Sequence, residues 1–200
     1  MKKVMSTFLV LILACTVLAG CSSGKDADTD TLFVEKKGAI VEVSVGDFDK
    51  DYYDEDEFKQ YIKDEIAAYK DGDGTGSVKL DKITIAEDGA KLAMKYSDSE
   101  AYTAFVGEEI FTGTIVQAIA AGYDFNVDFK TVEDAEVKDA VDKSDVISND
   151  DYHVAIVTKA IDVNVSGTIC YVSDGVKIKD KSTATIEESQ DAVFNYIIYK

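Results

Sequence analysis

The sequence predicts an α+β domain with a largely antiparallel sheet, one longer helix and two or three short ones. Three observations lead there. Short segments alternate apolar and polar residues between glycine-containing turns, the period of a half-buried strand. One stretch, residues 54–70, instead repeats its apolar positions at helical spacing. Strands follow one another as hairpins with helices inserted between them, and no βαβ alternation runs through the chain.

The elements follow in order. Residues 32–35 and 39–45 flank Lys36-Lys37-Gly38, with Val41, Val43 and Val45 alternating with Glu42 and Ser44. The helix 54–70 places Phe58, Ile62, Ile66 and Tyr69 on one face, with Asp54 as its N-cap and Glu57 three residues on. Residues 78–86 and 90–96 read as strands joined through Asp88-Gly89, a two-residue hairpin signal. Ser97-x-x-Glu100 and Thr114-x-x-Gln117 are capping-box patterns that open two short helices, ending near Gly107 and Gly122. Residues 133–142 read as a weaker third short helix. Strands are expected at 152–159 and at 163–172, the second joined to 176–178 by a hairpin through Asp174-Gly175. The ending Phe194-Asn195-Tyr196-Ile197-Ile198-Tyr199 is apolar at successive positions, which places it centrally in a sheet.

The chain has 200 residues, 46% hydrophobic and 30% charged, a globular composition. Its 21 basic residues, all lysine, face 39 acidic ones, for a net charge of −18. No basic stripe is available to neutralise phosphates, which argues against a nucleic-acid partner. With no arginine there is also no planar fork for bidentate carboxylate or phosphate recognition.

The N-terminus reads as an address. Lys2 and Lys3 precede an apolar run from Phe8 to Leu18, shorter than the roughly 20 residues a spanning helix needs. Leu18-Ala19-Gly20-Cys21 closes it, and that pattern resembles the lipobox of bacterial lipoproteins. The resemblance implies cleavage after Gly20 and a diacylglycerol on the Cys21 sulfur, with two acyl chains supplying a stable anchor. The expected organisation is therefore a lipoprotein signal peptide at 1–20, a flexible tether at 21–30 and a single α+β domain at 31–200. Cys15 leaves with the signal and Cys21 is acylated, so Cys170 has no disulfide partner in the mature chain. It is read as a small buried hydrophobe.

Candidate chemistry is sparse. His153 is the only histidine, so histidine-rich metal motifs are impossible, and nothing around it forms a nucleophile elbow. It is read as a satisfied strand residue in preference to a catalytic base. The loop Asp71-Gly72-Asp73-Gly74-Thr75-Gly76-Ser77 opens like a calcium loop, with oxygen donors at positions 1, 3 and 5 and glycine at 6. Position 12, however, is Lys82 where a bidentate glutamate belongs, and a strand follows instead of a helix. A glycine-rich helix-to-strand turn is preferred. Asp47-x-Asp49-x-Asp51 has the same opening spacing but lacks the glycine and reads as a lead-in to the helix. Tyr52-Tyr53 is the best exposed aromatic pair for stacking on sugars, whereas Tyr61, Tyr69, Tyr96, Tyr171, Tyr196 and Tyr199 are assigned to core or sheet.

Several segments together resemble uncharacterised lipobox-type lipoproteins of Gram-positive anaerobic bacteria. They are the lipobox through Cys21, Asp47-Phe48-Asp49-Lys50-Asp51-Tyr52-Tyr53, Phe111-Thr112-Gly113-Thr114 running to Ala121-Gly122-Tyr123, Cys170-Tyr171-Val172-Ser173-Asp174-Gly175-Val176, and Tyr196-Ile197-Ile198-Tyr199. The resemblance implies a location on the extracytoplasmic face of the cell membrane and no particular activity. The expected function is a non-enzymatic, lipid-anchored envelope module that binds a ligand or partner, protein or glycan. No catalytic residue, metal site or cofactor is assigned. The alternatives are a calcium-binding surface module using the Asp71–Ser77 loop and a carboxylate-based hydrolase of envelope or dietary glycan.

Overall fold

The computed structural model describes residues 24–48, 54–72, 74–86, 89–149, 151–188 and 194–200. The lipobox and Cys21 lie outside these residues, as do the Tyr52-Tyr53 pair, Asp73 and Asp88. In chain order β1 (Thr31–Val34) and β2 (Ile40–Gly46) precede α1 (Glu55–Asp71), and β3 (Val78–Ala86) and β4 (Gly89–Tyr96) precede α2 (Ser99–Val106). Next come β5 (Ile110–Thr114), α3 (Ile115–Ala120), β6 (Phe129–Glu133), β7 (Glu136–Val141) and α4 (Lys143–Ile147). The chain closes with β8 (His153–Val157), β9 (Asp162–Val165), β10 (Ile169–Ser173), β11 (Val176–Ile178), β12 (Thr183–Ile186) and β13 (Asn195–Tyr199). This is the mostly antiparallel α+β domain the sequence predicts, with α1 as its one longer helix.

The strands form two sheets, ordered β11-β12-β9-β1-β2-β4-β3 and β5-β8-β13-β10-β6-β7. Among the described residues every strand pair is antiparallel except β1 with β9. Leu32, Ile40, Met94 and Val163 of the first sheet share one core with Ala155, Val157, Ile169 and Ile197 of the second. The sheets therefore pack face to face. Ile62 and Ile66 of α1 and Tyr102 of α2 complete that core, against the half of the first sheet that carries β3 and β4. Val154, Ile156, Tyr196 and Ile198 point the other way, into a second core closed by Ile115 and Ala118 of α3 and Val146 of α4. A strand buried on both faces must be apolar at successive positions, which is why β13 reads Asn-Tyr-Ile-Ile-Tyr and is buried throughout.

One acid breaks the inward apolar pattern. Glu42, buried on the inner face of β2, is held by the Lys159 ammonium at 2.7 Å from the loop after β8, a charged stitch between the sheets. The Tyr102 hydroxyl lies buried without a hydrogen-bond partner among the described residues. Burial, reinforced by the Glu42 charge, pushes both it and Tyr96 above the usual phenol range.

Residues 24–30, read from sequence as part of the tether, run against the first sheet. The Lys25 ammonium sits 4.9 Å from the centre of the Phe33 ring, and Lys91 bridges Asp26 and Asp28. Thr29 donates to the Asp162 carboxylate at 2.7 Å, and Val45 N–H donates to Asp30.

Four sequence readings are corrected. Residues 133–142 form no helix: β6 and β7 make a hairpin whose turn, Asp134-Ala135, holds both residues at positive φ, 51° and 63°. The third short helix is α4, one turn later, capped by Asp142. Residues 163–172 are two strands in different sheets, because Gly167 brings the chain against the Lys200 carbonyl and β10 turns to pair with β13. Asp174-Gly175 is consequently a corner between sheets and not a hairpin, since β11 pairs with β12. The first capping residue also shifts by one: Asp98, not Ser97, accepts Ala101 N–H at the start of α2.

Candidate ligand-binding groove

The site is built where α1 crosses the open ends of β2 and β4. Asp54 caps the helix by accepting the N–H groups of Asp56 and Glu57, both at 2.9 Å, which fixes the direction of its first turns. The apolar stripe then buries Ile62 and Ile66, while Phe58, one turn nearer the N-terminus, reaches the margin of the core. Its ring lies 5.8 Å from that of Phe48, which follows β2.

Between these aromatics and the strand ends Ser44, Val45, Ala90 and Leu92 lies a groove of about 520 Å³. Its walls are largely apolar and its remaining lining is acidic: Asp47, Asp54 and Glu57. Tyr61 stands at one side, 59% exposed. The sequence assigned Tyr61 to the core, and the structure corrects this. Tyr61 falls one position before Ile62 and so lies off the buried stripe that Phe58, Ile62, Ile66 and Tyr69 share. That phase difference was the available signal. An apolar, aromatic floor with carboxylate acceptors around it suits a ligand with a flat apolar face and hydroxyl donors, and it disfavours an anion.

The other candidates fall elsewhere. The Asp71–Ser77 loop joins α1 to β3, as expected, and folds back on the helix: the Tyr69 hydroxyl donates to the Thr75 carbonyl at 2.6 Å. A side chain at Gly74 would come within 2.6 Å of the Tyr69 ring, so the glycine serves close packing. Among the described residues no three His, Cys, Asp or Glu groups gather to hold a metal ion. Cys170 is half-buried, its thiol 3.4 Å from the Thr168 carbonyl, and burial pushes it above the usual thiol range. His153 lies in β8 with its ring 5.7 Å from that of Tyr199 and does not line the groove. Among the described residues, Asp26, Glu136, Asp142, Asp162 and Asp180 have their pKa held below the usual carboxylate range by the hydrogen bonds they accept, and none of these five lines the groove.

No family model, curated protein or solved structure matches this chain.

Proposed function

We propose that the protein is a non-enzymatic, lipid-anchored module on the extracytoplasmic face of the cell membrane, and that the groove beside α1 binds a neutral glycan. The single observation that carries the binding role is the groove: exposed Tyr61 and half-buried Phe48 and Phe58 beside Asp47, Asp54 and Glu57. Rings stack on the apolar face of a pyranose, and carboxylates accept its hydroxyls. The lipobox residues Leu18-Ala19-Gly20-Cys21 support the location.

Titration with a panel of neutral oligosaccharides, read by calorimetry, tests the reading. Saturable binding that falls at least tenfold in Tyr61→Ala and survives in Tyr61→Phe is expected. Binding untouched by Tyr61→Ala, or none across the panel, sinks the glycan reading.

A further inference from the structure

A second pocket, of about 310 Å³, lies between the two sheets at the β1–β2 turn. Glu35, Lys36, Lys37 and Gly38 of that turn face Thr112 and Gly113 of β5, His153 of β8 and Tyr199 of β13, with Asp98 and Gln117 at the sides. His153 stands opposite Thr114 on one neighbouring strand and Tyr199 on the other. The Thr112 hydroxyl donates to the Gly38 carbonyl at 3.3 Å, tying the turn of one sheet to the edge of the other.

The acidic groups of this lining are already occupied. Glu35 is paired with Lys95 at 2.9 Å, and Asp98 accepts Ala101 N–H and the Ser97 hydroxyl. The basic groups are not: among the described residues, neither Lys36 nor Lys37 meets a carboxylate and the His153 imidazole has no hydrogen bond. Gln117 uses its carbonyl oxygen to cap α3 through Thr114, which leaves its amide N–H groups as the donors on that side chain. Gly113 makes room for it, since a side chain there would come within 2.9 Å of the Gln117 oxygen.

We infer that this pocket is a binding site for the phosphate group of a small soluble molecule, held by Lys36, Lys37, His153 and Gln117. Two ammonium point charges suit a tetrahedral phosphate, whereas planar carboxylate recognition favours the arginine fork that this chain lacks. The site is separate from the groove and stands whether or not that groove binds glycan.

The lone histidine makes the test direct, because its ring gives one imidazole signal that needs no assignment. The full chain in detergent, with isotope-labelled histidine, is titrated at constant pH with inorganic phosphate, sodium acetate or sodium chloride at matched ionic strength. The inference expects a saturable shift of the His153 resonance with phosphate, with apparent affinity at least tenfold weaker in the Lys36→Gln/Lys37→Gln double variant. Both lysines are exposed in a turn, so the variant is expected to retain the wild-type fold, checked by its amide spectrum. A drift shared by chloride, an equal response to acetate, or unchanged saturation in the double variant overturns the inference.

Discussion

Asp162 shows how one residue can tie distant parts of this chain together. Its carboxylate, buried on β9, accepts the Thr29 hydroxyl, the Thr185 hydroxyl and the Lys179 ammonium. Burial alone would push its pKa up, but the hydrogen bonds from Lys179, Thr185 and Thr29 outweigh that and bring it below the usual carboxylate range. A carboxyl lowered on folding stabilises the native state above its unfolded pKa, and that contribution is lost as pH falls through its folded value. Asp162→Asn is therefore expected to cost about 1.5–3 kcal/mol at neutral pH, as for hydrogen bonds to a charged group. The gap between wild type and variant should narrow as the solution is acidified below about pH 4. Thermal melts of both proteins across pH 3–7 check this, and a gap that stays constant with pH contradicts it.

At the scale of elements, the corner after β9 decides which strand enters which sheet. Gly167 sits where an added methyl group would lie 2.4 Å from the Lys200 carbonyl oxygen, beside the paired hydrogen bonds of Thr168 and Lys200. Gly167→Ala should thus cost about 1–3 kcal/mol by forcing the terminal strand away. Urea denaturation measures it, and an unchanged midpoint removes the explanation for the corner. Elements were legible in the sequence where the pattern was local. The α1 stripe, the Thr114–Gln117 capping box and the central terminal strand each follow from short-range spacing. What was not legible depends on distant contacts. Residues 163–172 alternate like one strand, and only Lys200 breaks them in two. Asp174-Gly175 has hairpin chemistry but serves a corner, because β12 and β13 offer partners in different sheets. The β7 strand has no buried alternation, so its sequence could not distinguish it from an exposed helix. The groove was half legible: Phe58 and the acidic lead-in were singled out, but the exposure of Tyr61 depends on where α1 meets β2 and β4.

For the whole molecule, charge and anchoring act together. The 200-residue chain has a net charge of −18, and a body that lost Lys2 and Lys3 with the signal segment would be more acidic by two charges, repelled by anionic surfaces over about 8 Å at physiological salt. On the proposed reading a lipid on Cys21 opposes that repulsion, at about 0.8 kcal/mol per buried methylene of its acyl chains. Lys25 already touches the first sheet, so with an anchor at Cys21 the intervening chain could span at most about 14 Å. On the same reading the groove is presented close to the membrane.

Mass spectrometry of the N-terminal peptide from membrane-fractionated cells tests this most directly, with Cys21→Ala in parallel. The expected result is a mature chain beginning at Cys21, carrying a diacylglycerol mass on its sulfur, and a Cys21→Ala protein no longer held as that mature, acylated form. An unmodified Cys21, or a wild-type chain that partitions away from the membrane, would contradict it.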